Sequence, residues 1–169
     1  KNVFIQVNRL TDGGLESLPA KHVETGMGFE RLVRVIQQKT SNYDTYSFSG
    51  TIEATEKIVK LKYEAPSAFS NRKGVFEEEI DVAFRVIADH IRAIVFAISD
   101  GQLPSSTGAG YVIRRILRRA SRYYYSYLNY NQPLLFKLVP VLIKQFENVF
   151  PYLNTQVDFH CRVIKEEAE

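Results

Sequence analysis

The sequence is poor in the residues that build disulfides and metal sites. Its 169 residues include one cysteine, Cys161, one methionine and no tryptophan. A single cysteine excludes an internal disulfide and is typical of a reducing compartment, so we expect a cytoplasmic protein. The three histidines are scattered, and the adjacency of His160 and Cys161 is the wrong spacing for two ligands of one ion. We therefore predict no metal site in this chain.

Long hydrophobic runs are also missing. The stretch over residues 134–143 is interrupted by Lys137 and Pro140 and is too short to cross a bilayer, so we expect no membrane partner. The chain has no signal-peptide pattern and starts at Lys1 without a methionine. These features predict an internal segment of a longer protein.

Acidic residues are absent from one long stretch. No Asp or Glu occurs between Gly101 and Phe146, although the net charge of the whole chain is only +3. The acids gather instead at residues 77–81 and at the end of the chain, where Glu166, Glu167 and Glu169 stand. This asymmetry indicates a surface for an anionic partner.

Hydrophobic periodicity predicts a mainly α fold. A small β-hairpin comes first, with strands over residues 3–7 and 20–26 joined by the turn signal Asp12-Gly13-Gly14. Helices are predicted over residues 29–38, 51–63, 77–99, 107–128, 135–149 and 155–169, with a loop over 65–74. The fifth of these is expected to kink or restart near Pro140. We therefore expect a helical bundle preceded by a hairpin and a helix, and the exposed strand edges could pair with another copy.

Five arginines lie on one arc of the helix predicted over residues 107–128. At 100° per residue, apolar side chains occupy about 140° of one side and the arginines roughly the complementary arc. The apolar side chains are Val112, Ile113, Ile116, Leu117 and Ala120, and the basic arc consists of Arg114, Arg115, Arg118, Arg119 and Arg122. Like charges at i,i+4 repel by about 0.2–0.5 kcal/mol per pair. A phosphate backbone would offset this repulsion, with neighbouring tyrosines stacking on sugar or base; the alternative is pairing with acids such as those at 77–81.

The most informative string is Gly26-Met27-Gly28-Phe29-Glu30-Arg31. Two glycines allow the backbone to pass close to a ligand, and an arginine on the first helical turn can stack on a ring or bind a phosphate. Alone, the string is more typical of a tight turn with a solvated arginine, because short glycine-rich strings recur by chance. Together with Ser41-Asn42-Tyr43-Asp44 and the strings over residues 85–92 and 110–120, it makes the chain resemble the alanyl-tRNA synthetase family. The resemblance is specific over residues 1–130 and weaker afterwards.

The resemblance implies roles for particular residues. The glycine-rich string would be motif 3 of a class II synthetase, in which Arg31 contacts ATP while Gly26 and Gly28 form the floor against the aminoacyl-adenylate. Glu24 stands where the family usually has an Asp that holds the α-ammonium of alanine, and its extra methylene shifts the carboxylate by about 1.5 Å. Ser106 stands where the family usually has an Asn that helps to read the acceptor-stem G·U pair, and a hydroxyl cannot make the bidentate amide pattern.

Two further polar residues lie in the middle of the helix predicted over 77–99. We expect Asp89 and His90 to orient Arg85 or Arg92 rather than to take part in catalysis.

The resemblance also implies the organisation and function of the chain. Residues 1–40 would be the C-terminal end of the class II catalytic core, and residues 41–169 a helical tRNA-recognition domain whose arginine arc holds the tRNA(Ala) acceptor stem. The intact enzyme would use ATP with Mg²⁺ to activate alanine and transfer it to tRNA(Ala). Motifs 1 and 2 and a zinc-bearing editing domain would lie outside this chain.

By itself, then, the chain is expected to be inactive, to bind no cofactor and to supply no catalytic nucleophile or base. The alternatives are a stand-alone helical RNA-binding module without catalysis and a structural bundle whose arginines pair internally.

Overall fold

The computed structural model describes residues 2–64 and 75–168 and, within them, a mainly α fold with one β-hairpin, as predicted. In chain order the elements are β1 (Asn2–Arg9), β2 (Leu15–Thr25), α1 (Phe29–Ile36), α2 (Tyr46–Val59), α3 (Val75–Ser99), α4 (Gly108–Tyr127), α5 (Leu135–Phe146) and α6 (Val157–Ala168). Short 3-10 helices, Asn42–Asp44 and Pro151–Gln156, precede α2 and α6. The loop predicted over residues 65–74 lies outside the described residues.

The hairpin is longer than predicted. Strands β1 and β2 pair antiparallel, and β2 begins five residues before the predicted start at residue 20. The reason is the tight turn: Leu10 N–H donates to the Gly14 carbonyl at 2.9 Å, and Gly13 takes a φ of +87° that favours glycine. Pairing therefore starts directly after the turn, with Arg9 opposite Leu15.

Apolar side chains of the hairpin are left uncovered in this chain. All of β1 is exposed, and Phe4, Leu15 and Val23 are 65%, 69% and 62% exposed. A two-stranded sheet with an uncovered apolar surface is only marginally stable in water. Self-association through these strands stays a prediction.

Helix α3 is the centre of the bundle. It packs against α2, α4, α5 and α6, and its Ile87, Ile91 and Ile94 are fully buried. These positions recur at helical spacing, as the sequence predicts. The buried stripe also takes in Ala83 and Phe84. Because α3 has neighbours on several sides, its buried surface is wider than a single apolar stripe.

The boundaries of α2 and the course of α5 differ from the predictions. Helix α2 begins five residues earlier than predicted and ends four residues earlier, where Lys60 takes a left-handed φ of +59°. Helix α5 runs through Pro140 without a restart and ends three residues before the predicted position. Proline removes the N–H that would bond the Phe136 carbonyl four residues back. That carbonyl accepts a weak hydrogen bond from the Cys161 thiol at 3.5 Å, which satisfies it from α6.

A buried histidine ties α3 to α6. The ring of His160 is fully buried, with Nδ1 at 2.6 Å from the Gln156 carbonyl and Nε2 at 2.8 Å from the Ser99 hydroxyl. A carbonyl only accepts, so Nδ1 carries a hydrogen, and the Ser99 hydroxyl that faces Nε2 also donates to the Val95 carbonyl at 2.9 Å. This histidine therefore has a structural role.

Two negative findings concern residues 2–64 and 75–168. No group of three or more His, Cys, Asp or Glu side chains there could hold a metal ion. No helix in the same ranges is long and apolar enough to cross a membrane.

Candidate nucleic-acid interface

The basic arc of α4 borders an open groove of about 740 Å³. Aromatic rings of the same helix share the groove with the guanidinium groups, which combines positive charge with surfaces for stacking. The lining side chains are Tyr111, Val112, Arg115, Ile116, Arg118, Arg119, Arg122, Tyr123 and Tyr127. Four of the five arginines predicted to face one side of this helix thus border a single concave surface.

Arg114 is the arginine of the arc that does not line the groove. Its Nε and Nη2 donate to the two carboxylate oxygens of Glu167 on α6 at 2.7 and 2.8 Å. Hydrogen bonding to Glu167 raises the pKa of the Arg114 guanidinium above its ordinary value. Arg118 is the second neighbour of this carboxylate, with Nε 3.5 Å from Glu167 Oε1. Part of the arc is therefore braced internally, by an acid of α6 rather than by one from residues 77–81.

The other three arginines face solvent. Arg115, Arg119 and Arg122 are exposed and form no ion pair with the described residues of the chain. The Arg115 guanidinium lies 5.8 Å from the centroid of the Tyr111 ring, within cation–π range. At the other end of the groove the Tyr123 and Tyr127 rings lie 5.2 Å apart. These groups offer charge and ring surface together.

The apolar side of α4 is narrower than the sequence predicts. Leu117 and Ala120 are fully buried and Ile113 and Ile116 are half-buried, as expected for a surface packed on α3. Val112 was predicted among them, but it is 54% exposed and borders the groove. That assignment is wrong because Val112 lies at the margin of the apolar arc, next to the arginines.

The loop that leads into α4 carries Ser106. This serine is exposed and lies two residues before the first residue of the helix. Thr107 occupies the N-cap position of α4 but makes no side-chain capping bond. The loop is instead held by Ser105, whose hydroxyl donates to the Thr107 carbonyl at 2.6 Å and whose N–H donates to the Gly110 carbonyl at 3.1 Å. Ser106 is therefore presented outward at the edge of α4.

The glycine-rich string forms the predicted hairpin-to-helix junction. Glu24 lies at the end of β2 opposite Val3, Gly28 occupies the N-cap position of α1, and Arg31 lies in the first helical turn. Glu24 and Arg31 are both exposed. A Cβ added at Gly26 would meet no atom within 4 Å. The surface around this glycine is therefore open to a ligand or to further protein.

An ion pair joins this string to the bundle. Arg92 of α3 donates through Nη2 to Glu30 Oε1, and its guanidinium lies 4.4 Å from the centroid of the Phe48 ring. The side chain of Arg92 is 16% exposed and that of Glu30 32%. Sequence reasoning did not single out Glu30, although it directly precedes Arg31. No local sequence pattern indicates this pair, because 62 residues separate the partners and only the tertiary structure brings them together.

The expectation for Asp89 and His90 concerned Arg85 and Arg92. In the structure Asp89 and His90 bond each other, with Oδ2 and Nδ1 3.2 Å apart, and this bond lowers the pKa of the Asp89 carboxyl. The direct partner of Arg92 is Glu30.

A second concave surface adjoins the Glu30–Arg92 pair. It is an open cleft of about 570 Å³, whose walls are mostly aromatic and aliphatic side chains of α1, α2, α3, α5 and the segment after α5. Phe29, Phe96 and Phe146 are among them. The ion pair is therefore a direct link between α1 and α3 at the edge of this cleft.

Comparison with known proteins identifies the family. All of the chain, residues 1–169, matches the model of the family described as tRNA synthetases class II (A). The chain therefore belongs to the class II (A) tRNA synthetases.

The chain is similar to several alanine–tRNA ligases. The chain is 56% identical over 166 residues to the alanine–tRNA ligase of Cytophaga hutchinsonii, and 52% identical over 168 residues to that of Flavobacterium psychrophilum, with 98% of the chain covered in each case. It is 50% identical over 167 residues to the ligase of Bacteroides fragilis, with 99% covered. The chain spans 18% of the length of each of these relatives. The similarity thus includes residues 131–169, where the motifs in the sequence give only a weaker resemblance.

Proposed function

We propose that this chain is a segment of an alanine–tRNA ligase. The intact enzyme would activate alanine with ATP and Mg²⁺ to alanyl-adenylate and transfer alanine to tRNA(Ala). Residues 1–40 would complete the catalytic core, and residues 41–169 would bind the tRNA acceptor stem. The family of the chain, together with ligases at least 50% identical across nearly all of it, supports this proposal.

In this proposal the hairpin-to-helix junction serves the first half-reaction. Arg31 contacts the ATP phosphates or stacks on adenine, since its planar guanidinium is permanently charged. Gly26 and Gly28 provide backbone that can lie against the adenylate without a Cβ, and Glu24 pairs with the α-ammonium of alanine. Class II activation works mainly by positioning and electrostatic stabilisation, which needs no nucleophile from this segment.

The groove on α4 serves RNA binding. The observation that carries this part is the set of three exposed arginines, Arg115, Arg119 and Arg122, which have no ion pair with the described residues and share a groove with tyrosine rings. Cations that form no ion pair with the described residues, spaced along one helix, suit a row of phosphates. Ser106, at the edge of the same helix, would contact a base edge or the backbone beside them.

The test is to replace Arg115, Arg119 and Arg122 together by glutamine in the full-length ligase and to titrate tRNA(Ala) at several salt concentrations. A plot of log affinity against log salt concentration has a negative slope. Loss of three phosphate contacts should reduce the magnitude of this slope by about 2 to 3. The matched control replaces Lys57, Lys60 and Lys144, which are also exposed and do not line the groove.

The control should change the salt slope little, because non-contacting charges act only through screened long-range attraction. If the triple arginine variant behaves like this control, α4 is excluded as the RNA-binding surface. The result would then favour the alternative of a structural bundle whose arginines pair internally. Alanine-dependent ATP–pyrophosphate exchange in the same preparations reports independently on the adenylate site.

A further inference from the structure

Glu167 lies at one border of the basic arc, and the arc is ordered around the helix axis. At 100° and 1.5 Å per residue, Arg114 and Arg118 lie at one margin, while Arg122, Arg115 and Arg119 follow within about 60° and span about 10 Å along the axis. The carboxylate of Glu167 contacts the two arginines at the margin. Arg114 and Arg118 are therefore less available to an anionic ligand than Arg115, Arg119 and Arg122.

The contact with Arg114 is of the strong kind. Two nearly parallel N–H···O bonds of 2.7 and 2.8 Å join a guanidinium to a carboxylate, and such bidentate pairs combine charge with fixed geometry. The Glu167 side chain is 11% exposed, so it has little access to water as an alternative partner. A phosphate reaching Arg114 would displace this carboxylate and leave it poorly solvated beside a second negative charge.

The Arg118 guanidinium stays largely accessible to an anion. Its side chain is 70% exposed, and its single contact with Glu167 is long, at 3.5 Å. It also lines the groove, which Arg114 does not. The carboxylate therefore occupies Arg114 and leaves Arg118 available.

From this geometry we infer that Glu167 is a specificity-determining residue of the RNA surface: it withholds Arg114 from phosphates and so fixes the margin of the phosphate-binding track. The inference rests on the proposed RNA-binding role of α4. Phosphate contacts carry no sequence information, so each additional free arginine raises affinity for every RNA alike. Holding one arginine back limits this indiscriminate part of the affinity.

The experiment uses four variants of the full-length ligase: Glu167→Gln, Arg114→Gln, the double variant, and Arg119→Gln as a reference. Affinities for tRNA(Ala) and for an unrelated tRNA are measured over a series of salt concentrations. Glu167→Gln should tighten both complexes and steepen the log–log salt slope by about 0.7 to 0.9, the value of one added phosphate contact. Arg114→Gln alone should leave the slope unchanged, and the double variant should return it to the wild-type value.

The outcomes separate the inference from the proposal beneath it. An unchanged slope in Arg119→Gln would overturn the proposed RNA surface itself. A flatter slope in Arg119→Gln, combined with no steepening in Glu167→Gln, would overturn only the role of Glu167. If Glu167→Gln weakens the α4–α6 contact enough to unfold the bundle, Arg114→Gln decides: a slope as flat as that of Arg119→Gln would show that Arg114 contacts RNA and the inference is wrong.

Discussion

Gly110 is the glycine whose replacement should disturb the start of α4 most. A Cβ at this position would lie 2.3 Å from the Leu103 carbonyl oxygen and 2.4 Å from the Ser105 hydroxyl. The Leu103 oxygen belongs to the backbone of the loop that carries Ser106, so it cannot rotate away as a flexible side chain would. Gly110→Ala should therefore push this loop off the helix.

The magnitude follows from two opposing effects. Alanine is favoured over glycine inside a helix by about 0.5–1 kcal/mol. Overpacking a closed site costs about 1–3 kcal/mol, and an overlap of about 1 Å with backbone belongs at the upper end of that range. The net expectation is a loss of about 2 kcal/mol in the free energy of unfolding, which corresponds to a fall of about 4–8 °C in Tm for a chain of this length.

Gly50 in α2 provides a matched control, since it is also a helical glycine. A Cβ there would meet only the end of the Gln145 side chain, at 3.3 Å, and a shift of a few tenths of an ångström, within reach of its hydrogen bond to the Tyr46 carbonyl, relieves the contact. Gly50→Ala should therefore raise stability by about 0.5–1 kcal/mol. Urea unfolding of the two variants and the parent chain, followed by far-UV circular dichroism, measures both effects. Equal stability changes in the two variants would refute the argument, because helix propensity would then outweigh the close approach at Gly110.

Two further predictions concern the adenylate site and pH. In the full-length ligase, Arg31→Ala should lower the rate of alanine-dependent ATP–pyrophosphate exchange by about one to three orders of magnitude, because it removes a charge-assisted contact that lysine could not restore in the same plane; a rate within about twofold of wild type would mean that Arg31 does not contact ATP. Burial raises the pKa of Tyr63 from 10.0 in the unfolded chain to about 12 in the folded one. The folded state then holds the Tyr63 proton more tightly than the unfolded chain does. The contribution of this hydroxyl to the free energy of unfolding is therefore complete below pH 10 and is lost as the pH rises to about 12. Urea midpoints measured across that interval should fall less steeply in Tyr63→Phe, and identical pH profiles would exclude this tyrosine as a cause.

The helical content of the chain could be predicted because most helices bury one periodic stripe. In α3 the recurrence of Ile87, Ile91 and Ile94 is enough to define both the helix and its buried side. The ends were less predictable, since they depend on local bonds. For α2, the Thr45 hydroxyl bonds the Asn42 carbonyl at 2.6 Å before the helix begins. For β2, the turn after Leu10 started the pairing earlier than the apolar pattern indicated.

The composition of the candidate site was predicted better than its ion pairs. Helical spacing alone brings the arginines of α4 to one arc, so a local pattern sufficed. The partners of Arg114 and Arg92 lie 53 and 62 residues away in sequence, at Glu167 and Glu30. Each pairing depends on which helices pack together, and no local periodicity encodes that choice. The acids at the end of the chain were noticed as a charge feature, but their position beside the arginine arc arises only from the packing of α6 against α4.

The two proposed functional surfaces share one structural support, helix α3. Its Arg92 holds Glu30, the residue beside Arg31, while its apolar side packs against the helix that carries the basic arc. A ligase that activates an amino acid and then transfers it to RNA needs the nucleotide contact and the RNA contact at a fixed relation, because transfer requires the tRNA 3′ end to meet the adenylate. Arg92 makes this connection through a charge pair beside an open cleft. We therefore expect single substitutions at Arg92 or Glu30 to disturb the relation between the two surfaces, although neither residue needs to touch a substrate.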